Sequence, residues 1–171
     1  MDIEALKQFA EKLLQEIKKE LKSGSYLGVW IEPLPQKILQ RVPESFLKDL
    51  KKLCHEHQAA LIYNESASMN YRYNHNYPFV ANMSDLSPDA GMIFMGGQAG
   101  LVFLEEKHFL AQPLMLISTW DGDEFSFAQG FYASELIKQD VQSYHDTVKR
   151  FDEKMRQEIG LAMQNADPQD V

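Results

Sequence analysis

Leu27-Gly28-Val29-Trp30-Ile31 and Ala59-Ala60-Leu61-Ile62-Tyr63 are two short apolar runs separated by one amphipathic segment. Neither run alternates with polar residues, so each reads as a strand buried on both faces. Between them, Pro43-Glu44-Ser45 carries helix start signals, and a helix over 43–58 places Phe46, Leu50, Leu53 and His57 on one face with Cys54 beside them. Glu32-Pro33-Leu34-Pro35 ends the first strand, because proline removes the donors that a ladder needs. A strand, a helix and a strand in that order form a parallel crossover unit, expected to be right-handed. This unit decides the fold class, an α/β protein with an open, mostly parallel sheet.

Upstream, Ile3, Leu6, Ala10, Leu13, Ile17 and Leu21 recur every three to four positions and predict a helix over residues 2–22, stopped at Gly24. Downstream, Met92-Ile93-Phe94-Met95 reads as a third strand. Gly96-Gly97 turns the chain, and Leu101-Val102-Phe103-Leu104 returns antiparallel. Leu114-Met115-Leu116-Ile117 is a fifth strand candidate, and Trp120-Asp121-Gly122-Asp123 reads as a turn. Helices follow over about 124–138 and 140–163, the last with Val141, Tyr144, Val148, Phe151, Met155 and Ile159 on one face. The expected architecture is a sheet of about four to five strands with flanking helices and a late antiparallel hairpin. Residues 1–139 form the main domain, and 140–171 a C-terminal helix and tail.

In such sheets ligands bind beyond the C-terminal strand ends. Asn64 and Glu65 stand there, followed by a long aperiodic loop from Ser66 to Asp85. Its Tyr71, Tyr73, Tyr77 and Phe79 argue for packing. Glu32, Glu65, Tyr71 and Arg72 are therefore the cleft candidates, and Arg72 suits a carboxylate or phosphate.

Composition removes several function classes. Seventeen basic against 25 acidic residues leave a net charge of −8, unsuited to a phosphate backbone. No apolar run approaches the roughly 18 residues of a membrane span. A lone cysteine, Cys54, and an acidic, amphipathic start point to a reducing, cytoplasmic setting. The sequence holds no HExxH and no cysteine pair, and His55 and His57 are wrongly spaced for one helical face, so no metal is expected. Asp121-Gly122-Asp123-Glu124 lacks the calcium-loop pattern, and no nucleophile elbow or Walker loop is present.

Several motifs in order resemble class-III, fold-type-I aminotransferases, which use pyridoxal 5′-phosphate (PLP). Val29-Trp30-Ile31-Glu32-Pro33-Leu34 is similar to that family's strand and Glu-Pro corner. Residues 46–57 resemble its next helix, and Ala60-Leu61-Ile62-Tyr63-Asn64-Glu65 its strand ending in Asp-Glu. Arg72 falls on the Arg of a Gly-x-Gly-Arg-Thr-Gly stretch, and Pro88-Asp89 on the Pro-Asp before the lysine-bearing strand. Pro113 falls on a family proline. Ser118-Thr119-Trp120-Asp121-Gly122-Asp123 is similar to a stretch of the 4-aminobutyrate and lysine ε-aminotransferase branch.

The departures carry the functional expectation. The resemblance puts the pyridinium-binding Asp at Asn64, whose amide supplies no negative charge. It puts the Schiff-base lysine at Met95, or at Gly96 one register on, and neither has an amine. The family's glycine-rich run is Ser66-Ala67-Ser68-Met69-Asn70-Tyr71 here. Its upstream phosphate loop has no counterpart in these 171 residues. Asn64 and Thr119 remain as remnant cofactor positions. The expected function is thus a non-catalytic aminotransferase-like domain, a scaffold, interaction or dimerisation module within a larger protein, with no cofactor.

Two alternatives stand beside it. One is a PLP-dependent aminotransferase, or half of one completed by another chain, for which Lys107 is the nearest downstream lysine. The other is a small-metabolite binder reusing the cleft. The strand at 27–32 is expected to be a sheet edge, covered by a second copy, a partner domain or a local helix.

Overall fold

A computed structural model describes residues 3–37, 40–109 and 123–165. In chain order the elements are α1 (Ile3–Leu21), β1 (Gly28–Ile31), α2 (Glu44–Glu56), β2 (Ala60–Asn64), β3 (Ala90–Gly96), β4 (Ala99–Leu104), α3 (Glu124–Gln139) and α4 (Val141–Asn165). Short 3-10 turns lie at Val80–Asn82 and Glu106–His108. The four strands form one sheet in the order β1-β2-β3-β4. β1, β2 and β3 run parallel, and β4 returns antiparallel to β3. The architecture is the mostly parallel α/β sheet that the crossover unit predicts. The fifth-strand candidate at 114–117 and the turn residues 120–122 lie outside the described residues.

By packing, the chain divides into two units, Met1–Tyr132 and Ala133–Val171. In the first, one sheet face is dry. Leu61 and Tyr63 of β2 are fully buried against Phe46, Leu47, Leu50, Leu53 and Cys54 of α2. Val29 and Ile31, paired with Leu61 and Tyr63, share that face. Burial pushes the Cys54 thiol up to about 11, with the Asp89 charge adding to it, so the thiol is neutral at physiological pH. From α1, Ala10, Leu14, Ile17 and Leu21 complete the core. The predicted stripe is corrected at one position. Leu13 is exposed and Leu14 packs inward, because 10, 14, 17 and 21 follow one helical face.

The other sheet face corrects the expectation of strands buried on both sides. Side chains paired across a ladder point the same way. Trp30 therefore shares a face with Ile62, Asn64 with Met92, Met92 with Val102, and Phe94 with Gly100. Trp30 is 55% exposed, Phe94 51% and Val102 75%. Within the first unit, α1 and α2 pack on the opposite face. The runs look doubly buried because both faces are apolar, yet one of them is open.

Two helix ends refine the sequence reading. α2 stops at Glu56, with His57 in the C-cap and Gln58 at φ +56°, so His57 leaves the helical face. Gly24, at φ +67°, closes α1 in the left-handed conformation that favours glycine. The segment after β2 is packed, as its aromatics predict. Tyr73 is buried and donates its hydroxyl to Val42 O at 2.7 Å, and Val80 and Leu86 join the core. In the second unit, α4 exposes Val148, Phe151, Met155 and Ile159. Among the described residues no helix is long and apolar enough to cross a membrane.

Candidate functional site

The C-terminal ends of β1 and β2 bring together Glu32 and Asn64, but they satisfy each other. Asn64 Nδ2 donates to Glu32 Oε1 at 3.3 Å, and Gln36 N donates to Glu32 Oε2 at 2.8 Å. Asn64 Oδ1 accepts from Ser66 N at 3.1 Å and from Ser66 Oγ at 2.7 Å. Ser66 Oγ in turn accepts Phe94 N at 2.9 Å. The amide thus acts as a local clamp between the ends of β2 and β3. Ser66 is the residue that sequence reading misses; its position directly after a strand-end Asn is the turn signal that could find it.

Glu65 is corrected from a cleft side chain to a buried one. It is 0% exposed and turns into the following loop. Its Oε2 accepts Val80 N at 2.6 Å and Ser68 Oγ at 3.2 Å, and Oε1 accepts Ala81 N at 2.8 Å. Burial pushes its carboxyl above the ordinary glutamate range, and the three donors only partly offset this. Asn70 and Tyr71 then hold left-handed backbone at φ +58° and +63° without a glycine. Tyr71 in that bend is half-buried, and Arg72 after it is exposed. Thr119 lies outside the described residues.

Met95 is half-buried and packs on α3. A Cβ at Gly130 would press on the Met95 side chain, so glycine at that helix position gives the thioether its room. The adjoining hairpin is tied to the same helix. Asp123 caps α3 by accepting Ser126 N at 2.9 Å, and Ser126 Oγ accepts Gln98 N at 3.1 Å. Gly96 has positive φ and open space where a Cβ would stand.

Lys107 sits at the other end of the sheet. β3 separates it from Met95 by about six residues, roughly 20 Å of strand. There it meets Asp89, which is 3% exposed. Asp89 Oδ2 accepts Leu61 N at 2.8 Å and His55 Nε2 at 3.1 Å, and Oδ1 accepts Lys107 Nζ at 3.2 Å. Burial pushes the Asp89 carboxyl up, but the Leu61 amide, His55 and Lys107 together hold it below the ordinary aspartate value.

Among the described residues, one buried polar atom near the core lacks a partner. Tyr63 Oη is enclosed without a hydrogen bond. An unpaired buried hydroxyl costs roughly 1–3 kcal/mol. Tyr63→Phe is therefore expected to keep or raise stability by about 1 kcal/mol in urea melts, against the usual loss for a core change.

Comparison with solved structures places this geometry in an aminotransferase-like fold. The chain superposes on two mutant structures of M. tuberculosis Rv3290c, each with a TM-score of 0.69 over 82% of this chain, at 18% and 17% identity. It also superposes on Plasmodium falciparum ornithine delta-aminotransferase, with a TM-score of 0.61 over 74% of the chain at 18% identity. It spans about a third of those proteins, 34% of the first two and 35% of the third. No protein-family model and no curated protein matches the sequence.

Proposed function

We propose that this chain is a non-catalytic, aminotransferase-like domain, akin to the 4-aminobutyrate and lysine ε-aminotransferase branch, that serves as an interaction or dimerisation scaffold within a larger protein. The observation that carries the reading is the packing of Met95. By the motif resemblance it occupies the Schiff-base position, and a thioether seated on Gly130 of α3 offers no amine there. Gly96, the position one register on, has no side chain at all. Lys107 gives the PLP-dependent alternative little support, being at the far end of the sheet in ion pairs with Asp89 and Glu105. The metabolite-binding alternative is weakened because Glu32 and Asn64 already bond to each other.

Association is the positive half of the reading. β1 is one edge of the sheet, and Trp30 on it, with Phe94 and Val102 further across the same face, is exposed. Such an edge and face invite pairing. The occupant in this reading is a second copy, in a cytoplasmic setting consistent with the buried Cys54 thiol.

Two measurements test the two halves. Incubation with PLP followed by borohydride reduction is expected to give no stoichiometric adduct by intact mass; one modified lysine per chain ends the non-catalytic reading. Sedimentation velocity is expected to show a dimer that Trp30→Asp dissociates by at least about tenfold in Kd, the loss of one buried aromatic anchor. A native chain that stays monomeric at high concentration removes the dimerisation reading.

A further inference from the structure

At the sheet end opposite the cleft, α2, β2 and the turn after β4 converge on Asp89. His55 comes from the last turn of α2, and Glu105 and His108 flank the turn after β4. The ladder fixes this arrangement, since Glu105 N donates to Asp89 O at 2.8 Å and Asp89 N donates to Leu61 O at 2.9 Å. One ligating atom each from Asp89, Glu105 and His108 fall within 4.8 Å of one another. Beside them lies a hollow of about 280 Å³ lined by His55, Asp89, Lys107 and His108.

The geometry points to a binding site for a divalent transition-metal ion of the zinc class, held by Asp89, Glu105 and His108. Three properties of the cluster support this. Its two carboxylates balance a dication. Its imidazole selects zinc, cobalt or nickel over magnesium and calcium, which prefer all-oxygen shells. A cation already occupies the place: Lys107 Nζ bonds both Asp89 and Glu105. That ammonium sits on a flexible stem, 59% exposed, and swings to solvent when a metal enters.

Zinc ligands at about 2.0–2.2 Å stand roughly 3.4 Å apart around a tetrahedron. The exposed Glu105 and His108 must therefore close by up to about 1.4 Å onto the buried Asp89, within the reach of side-chain rotation. Water fills the fourth position. His55 is a positioning residue, its Nε2 bonded to the Asp89 carboxylate as outer-shell groups commonly are. Glu105 and His108 lie three residues apart on one turn, while Asp89 comes from just before β3, so sequence spacing brings together only two of the three ligands.

The experiment uses the full chain with zinc chloride in calorimetry and cobalt chloride in visible absorption. One ion per chain is expected, with the d–d bands of a tetrahedral cobalt site. His108→Ala and Glu105→Gln, both at exposed positions, should each weaken binding at least about tenfold, and His55→Ala by about tenfold. Lys107→Met should tighten binding, since it removes the competing ammonium. His75→Ala, on the distant loop, should leave binding unchanged. A purely structural ion-pair cluster would make Lys107→Met less stable with no gain in affinity, and that result overturns the assignment. So does the absence of saturable one-to-one binding, or a loss in His75→Ala equal to that in His108→Ala. Should His108→Ala fail to fold by circular dichroism, Glu105→Gln carries the comparison.

Discussion

Glu65→Ala is expected to cost about 3 kcal/mol in urea unfolding and to loosen the segment that follows β2. The carboxylate serves three donors at once, and two of them are backbone N–H groups of the turn at Val80–Asn82. Removing it leaves Val80 N, on a residue 1% exposed, without an acceptor. Hydrogen exchange at Val80 and Ala81 should rise in step with the lost stability. The pH dependence has a definite sign. Burial raises the folded carboxyl above its unfolded value of 4.5. The protonation-linked stability is thus fully present below pH 4.5 and lost as pH rises through the folded value. The gap between the native chain and Glu65→Ala should narrow from acid toward neutral pH. A gap that widens instead would contradict the burial argument.

Asp89→Ala should cost about 2–3 kcal/mol and show the opposite trend. The main loss is the acceptor for Leu61 N, a donor in the centre of the core sheet. His55 and Lys107 are half-exposed partners that water can take over, so their share is discounted. The folded Asp89 carboxyl lies below its unfolded value of 3.8. Its contribution is present above that value and disappears as pH falls through the folded one. The native advantage over Asp89→Ala should therefore shrink in acid, where the advantage over Glu65→Ala grows. Urea titrations of the three chains across this range measure both slopes. Parallel slopes would mean that neither carboxyl is perturbed as its surroundings require.

The crossover unit is legible in the sequence because its two apolar runs and one amphipathic helix leave few other arrangements. Gly24 and the hairpin glycines are equally readable, since positive φ demands them. The open face is not readable. Trp30 and Phe94 announce apolar surface, but only neighbours brought from elsewhere decide whether that surface is covered. Glu65 shows the same limit at the site. Its place at a strand end suggests a ligand-facing carboxylate, while the backbone donors that claim it lie 15 and 16 residues further on. Leu13 and Leu14 differ by about 100° on the helix, and composition cannot choose between them. Asp89 is visible only as a family landmark, because its partners come from α2, β2 and the turn after β4.

The order β1-β2-β3-β4 has a consequence for how the chain acquires its shape. Among the described residues, every hydrogen-bonded neighbour is the next strand along the polypeptide, so none of these four strands has to be threaded between two already paired. The sheet can grow by accretion at one rim, each new strand closing a short span of chain, and the β3–β4 hairpin adds the most local pairing of all. A chain emerging from the ribosome can dock each strand as it appears, with no earlier pair reopened. Continuity along the sequence and continuity across the sheet are here the same thing, and a contiguous length of a larger fold can keep its own internal order.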